Sequence, residues 1–154
     1  MIKNIKYILV VGILLFSALF AFSQDKEIVY AKSFEAAQEI SVNENKLVLL
    51  IFSGTDWCRP CMIFDQTVLS NSIFIEYANQ NLSIYKASFP RRKKNALSEE
   101  TKAYNEKLAS IYNKKGAFPN VLLFHKKSNT FIVLDYNQSA EQFTKQIENI
   151  ISKE

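Results

Sequence analysis

Cysteine and histidine are scarce in this sequence, with two of the former and one of the latter in 154 residues. A structural zinc site takes four ligands. Cys58, Cys61 and His125 supply three, so no metal site is expected within one chain. No cysteine stands near residue 24, which excludes a lipid anchor on an N-terminal cysteine there. Internal repeats, a second domain and any peroxidase-type motif are also missing. Strong charge of one sign is missing too. The formal net charge of +4 includes Lys3 and Lys6. Without that segment, 17 basic residues face 15 acids, a net +2 that gives no warrant for nucleic-acid binding.

The N-terminus is rich in what the rest lacks. Lys3 and Lys6 form a basic start, Ile8 to Phe22 is an unbroken run of apolar and small residues, and Ala21-Phe22-Ser23 sets small residues before Gln24. This order reads as a secretory signal peptide spanning residues 1–23. The rival is an uncleaved membrane anchor, for which 15 residues fall short of the roughly 20 that span a bilayer comfortably. Residues 24–154 then form one domain with one core.

Along that domain, Ser33 to Asn45 has Phe34, Ala37, Ile40 and, more loosely, Val42 at helical spacing, with Ser33 as N-cap. Leu47-Val48-Leu49-Leu50-Ile51-Phe52 has no polar face, which predicts a central strand covered on both sides. Ser53-Gly54-Thr55-Asp56 breaks it. A helix starts near Arg59 with Pro60 in its first turn, carrying Met62, Ile63, Val68 and Leu69. Ser72 to Asn79 is a second helical piece and Leu82 to Ala87 a strand. Glu99 to Lys114 is helical, with Tyr104, Leu108, Ile111 and Tyr112 on one side. Gly116 to Pro119 turns the chain into the strands Val121–Phe124 and Thr130–Leu134, joined at Lys127-Ser128-Asn129. An amphipathic helix, Ala140 to Ser152, closes the chain on Phe143, Ile147, Ile150 and Ile151. The pattern predicts an α/β fold with a mixed sheet flanked by helices.

The two cysteines stand three residues apart, in a chain read as sent to an oxidising compartment. As a structural staple the pair is poorly placed, because closing a four-residue loop removes only about 2 kcal/mol of unfolded-state freedom. As a reversible switch it is well placed. Cys58 falls where a buried strand ends and a helix begins, and the unpartnered first-turn N–H groups of a helix stabilise a thiolate. Cys58 is then the exposed nucleophile and Cys61, one turn on and more buried, resolves the mixed disulfide. Arg59 adds a positive charge beside Cys58. This exchange needs no cofactor.

Trp57-Cys58-Arg59-Pro60-Cys61 after an apolar strand resembles the WCxxC active site of thioredoxin-fold proteins. Phe118-Pro119 before the strand Val121–Phe124 resembles the cis-proline loop of that fold. The resemblance covers most of residues 28–152, including the order of elements. Phe52 to Cys58, Phe89 to Lys93 and Asn105 to Ala109 further resemble secreted bacterial thioredoxin-like proteins. It implies a thioredoxin fold and disulfide handling in the cell envelope, with Cys58 and Cys61 as the redox pair. Trp57, Arg59, Pro60, Phe118 and Pro119 are the implied substrate contacts, with Trp57 shielding the motif and Pro119 in cis against the disulfide. Implied partners are exported client proteins with thiols or disulfides and a membrane-embedded electron donor.

The chain departs from thioredoxin at two positions. Phe52 stands where thioredoxin keeps a buried Asp, six residues ahead of the first Cys, and Asn120 follows the proline where Thr is usual. The Arg59 charge argues for oxidation or isomerisation, whereas secreted relatives are often reductases, so the direction of electron flow stays open. The alternative is a thioredoxin-fold binding or chaperone-like module with an idle or structural cysteine pair, which Phe52 favours. Arg91 to Lys94 is expected to be a solvated loop rather than a docking patch, Asp65 a solvated helix carboxylate, and His125 a surface residue.

Overall fold

A computed structural model describes residues 27–125 and 130–152. The expected signal peptide and the Lys127-Ser128-Asn129 turn lie outside the described residues. Helix α1 (Phe34–Glu44) starts at Ser33, whose hydroxyl accepts the Ala36 N–H at 3.0 Å. Asn45 closes it in the left-handed region at φ 55°, a conformation asparagine tolerates. Phe34 and Ala37 are buried as the spacing predicts, whereas Val42 is exposed.

Strand β1 (Leu47–Ser53) is buried along its whole length because it has a neighbour on each side and a helical layer on each face. It pairs in parallel with β2 (Leu82–Ser88) and antiparallel with β3 (Asn120–Phe124). Beyond β3 lies the edge strand β4 (Phe131–Val133), giving the order β2-β1-β3-β4. Strand alternation sends Leu47, Leu49 and Ile51 to one face and Val48, Leu50 and Phe52 to the other.

The first face packs on helix α2 (Arg59–Phe64) and the π-turn that continues it (Asp65–Leu69). Helices α3 (Ser72–Asn81) and α5 (Ala140–Ile151) complete that layer through Phe64, Val68, Phe74, Ala78, Phe143 and Ile147. The second face packs on α1 and on α4 (Glu99–Tyr112), through Phe34, Ala37 and Leu108. This is the expected mixed sheet between helices, a thioredoxin fold. Two helix faces differ from the apolar pattern. Met62 and Ile63 of α2 are exposed and Phe64 packs inward instead, and in α4 Ile111 is exposed while Asn105 is buried. Asn105 is tolerated there because it accepts from Tyr85 Oη at 2.7 Å and donates to the Ser88 carbonyl at 3.0 Å.

The register decides where the site lies. Phe52 stands opposite Ala87 on β2 and opposite Asn120 on β3. The segments leaving β1, leaving β2 and entering β3 therefore meet at one end of the sheet. His125, at the other end of β3, donates its N–H to Thr130 O at 3.1 Å and lies about 16 Å of strand away from Asn120.

Candidate active site

Three chain segments build the site. The first runs from Gly54 to Cys61 after β1. Cys58 caps α2, and its Sγ accepts the Cys61 N–H at 3.2 Å, satisfying one of the orphan donors of the first turn. Pro60 occupies that turn at no cost, since its missing N–H would have been unpaired. Cys58 and Cys61 are joined in a disulfide with their Cα atoms 5.3 Å apart. Cys58 keeps 5 % of its surface exposed and Cys61 1 %. The order of exposure is the expected one, yet Cys58 is itself buried and not the exposed cysteine expected. Gly54 N–H points at Cys61 Sγ, 3.4 Å away. A Cβ at Gly54 would stand 2.6 Å from the Trp57 ring, so only glycine lets the indole lie there.

The second segment is the loop after β2, from Phe89 to Asn95. The Phe89 carbonyl accepts the Trp57 indole N–H at 2.6 Å, and Phe89 N–H donates to Ser53 O at 2.8 Å. Asp56 accepts from Arg91 N–H at 2.9 Å, Arg92 N–H at 3.1 Å and Asn95 Nδ2 at 2.8 Å. The Arg91 backbone bond, ahead of those from Asn95 and Arg92, holds the Asp56 carboxyl below the usual carboxylate range. Arg91 lays its guanidinium over the Trp57 ring, 3.8 Å from the centroid. The four cations are exposed, as expected of a solvated loop, while the backbone that carries them is fastened to the motif through Asp56.

The third segment is the loop into β3. Its Phe118–Pro119 bond is cis, as the resemblance implies. Phe118 meets Trp57 edge-on at 5.3 Å and Phe89 at 5.3 Å, and Phe89 in turn lies 6.4 Å from Phe52. Asn113 ties this loop down. Its Oδ1 accepts from Ala117 N–H at 3.0 Å and Asn120 Nδ2 at 3.0 Å, and its Nδ2 donates to Ala117 O at 2.9 Å. Asn120, which departs from the usual Thr, is thereby a buried partner of Asn113.

The predicted contacts fall on two sides of the disulfide. Trp57 and Phe118 line a groove of about 450 Å³ together with Phe89, Arg91, Glu99 and Lys102. Arg59 and Pro60 instead line a hollow of about 400 Å³ with Ile63 and Tyr136. Pro119 is buried and lines neither. Asp65 is not the solvated carboxylate expected: it is partly buried and paired with Lys86 Nζ at 2.6 Å. Among the described residues, no three His, Cys, Asp or Glu side chains gather as a metal site. Sequence reasoning noted Asp56 as a carboxylate flanking the motif and weighed Arg91 in a charge run, but gave Phe89 and Asn113 no role in the site.

No protein-family model matches the chain. It is similar to the disulfide bond reductase DsbH of Chlamydia pneumoniae, at 32 % identity over 91 residues, which cover 59 % of this chain and 53 % of that protein. The chain therefore spans about half the length of the curated relative it matches. Among solved structures, a DsbH oxidoreductase superposes with a TM-score of 0.73 at 21 % identity, covering 84 % of this chain and 88 % of the other. A thioredoxin from Thermus thermophilus does so with 0.59 at 14 %, covering 84 % and 90 %. Motif and structural neighbours agree on the fold, and the chain has a thioredoxin fold with a WCxxC motif at the start of α2.

Proposed function

We propose that the chain is a thiol–disulfide oxidoreductase acting on disulfides of exported proteins. The observation that carries this reading is the Cys58–Cys61 disulfide at the start of α2, with Cys58 Sγ on the Cys61 N–H. In the reductive direction the Cys58 thiolate attacks a substrate sulfur, forms a mixed disulfide and expels a substrate thiolate. Cys61 then attacks Cys58, releases the second substrate thiol and closes the Cys58–Cys61 bond, so two electrons pass to the substrate. The oxidative direction runs the same steps backwards. The N–H held by Cys58 Sγ and the positive end of α2 favour the attacking thiolate.

Trp57 and Phe118 form one wall for the substrate, with the cis Pro119 buried behind Phe118, and Arg59 and Pro60 line the other side. Residues 1–23 serve as the export signal and 24–154 as the working domain, which places the protein in the cell envelope, or tethered to the inner membrane if the leader is uncleaved. The named relative is a reductase, which favours a membrane-embedded electron donor for this chain. The rival reading, a binding module with an idle disulfide, draws on Phe52, which puts an apolar ring where thioredoxin has an acid.

Insulin-disulfide turnover separates the two. Cys58→Ser is expected to abolish activity, and Cys61→Ser to accumulate covalent adducts through Cys58. Equal activity in wild type and Cys58→Ser would sink the oxidoreductase reading.

A further inference from the structure

We infer that the loop after β2 belongs to the substrate site and selects client segments with an acidic side chain beside the reactive cysteine, Arg91 reading that charge and Asp56 holding Arg91 in place. The inference rests on the oxidoreductase reading above. Arg91, Arg92, Lys93 and Lys94 are four consecutive exposed cations. In a loose loop such a run has no fixed relation to the cysteines. Here one carboxylate, two residues before Cys58, takes three hydrogen bonds from the loop, and the Trp57 indole takes hold of Phe89 O. The Arg91 guanidinium is thereby stacked on the residue next to the nucleophile.

Asp56 stands two residues before Cys58, and its oxygens are turned to the loop's N–H groups. Arg59 adds a further exposed cation on the other side of Cys58. The rim on the Trp57 side of the disulfide is therefore positive, whereas Asp135 shares the hollow of Arg59 and Pro60 and the groove as a whole is mixed. Glu99 and Glu106 stand on its α4 wall, and Glu99 lies 3.9 Å from Lys102 Nζ. That polarity sets a register: an acidic client residue fits at the Trp57 end, beside the cysteine, and is repelled from the α4 end. The aromatic faces of Trp57, Phe89 and Phe118 give the groove an apolar floor for the rest of the segment. Complementarity of this kind acts on encounter rate and choice of partner.

The test uses the mature chain with Cys61→Ser, in which the mixed disulfide persists, and three peptides with one disulfide each, flanked by Glu, Gln or Lys. The rate of adduct formation is read by mass spectrometry. The Glu peptide is expected to react about three to five times faster than the Lys peptide at low salt, with the difference fading at about 0.5 M. Arg91→Glu is expected to reverse the order, and Lys145→Glu on α5, an equal change of charge in the opposite layer, to leave it intact. Asp56→Ala decides the positioning role. It makes the protein more positive, so charge alone predicts a stronger preference, whereas release of the loop predicts a weaker one.

Equal rates for all three peptides, an order unmoved by Arg91→Glu, or a preference strengthened by Asp56→Ala would each overturn the inference while leaving the oxidoreductase reading intact. Absence of any adduct would overturn that reading first. Binding to anionic phosphatidylglycerol vesicles through Arg91 to Lys94, without a peptide preference, would assign the run to a lipid surface and overturn it too.

Discussion

Phe52 is fully buried on the face of β1 that meets α1 and α4, and its ring reaches Trp57 through Phe89 and Phe118. The chain has thus built the ground beneath its motif from aromatic rings, and each well-oriented pair contributes about 0.5–1.5 kcal/mol beyond simple burial. Restoring the thioredoxin acid here would not restore thioredoxin chemistry. Phe52→Asp would remove the ring and set a carboxylate among Phe89, Tyr85 and Leu108. It is expected to destabilise the fold by about 3–5 kcal/mol in urea unfolding, with no gain in insulin turnover. A stable Phe52→Asp variant with faster reduction would show that the aromatic path is dispensable. The identity of residue 52 was plain in the sequence, and so were the two cysteines, Trp57 and the cis Pro119, because each belongs to a short local motif. What Phe52 packs against was not, since Phe89 and Phe118 lie 37 and 66 residues away along the chain.

At the scale of elements, three connecting segments matter more than any strand or helix. The motif turn and the loop after β2 are joined by Asp56, and the proline loop is closed on itself by Asn113. Asn113 is 5 % exposed, so its loss would leave the Asn120 amide and the Ala117 N–H without their partner. Asn113→Ala is expected to cost about 1–3 kcal/mol in stability and to lower turnover, measured together by urea unfolding and insulin reduction. Unchanged values for both would mean that Pro119 holds the loop alone. Helices and strands were legible because apolar periodicity records burial, and every expected element is found. Periodicity failed where the environment was set by tertiary contact. Met62, Ile63 and Ile111 are apolar yet exposed, and Asn105 is polar yet buried against Tyr85 and Ser88. The loop after β2 looked solvated because its charges are; its backbone is what the site holds.

At the scale of the whole molecule, the sheet order β2-β1-β3-β4 brings the ends of three strands together and sets the disulfide at their meeting point. The fold does not depend on that disulfide for its shape. Two aromatic-rich cores on either side of β1 supply the stability, and a four-residue loop adds only about 2 kcal/mol when closed. A bond that contributes so little to the fold is free to open and close in the course of its work. The reduction potential of the Cys58–Cys61 couple, measured by equilibration with glutathione or dithiothreitol buffers and read by mass after thiol trapping, tests this most directly. A working exchange couple is expected between about −300 and −120 mV, within reach of other dithiol proteins. A value well below about −300 mV would mark an inert structural bond and contradict the account.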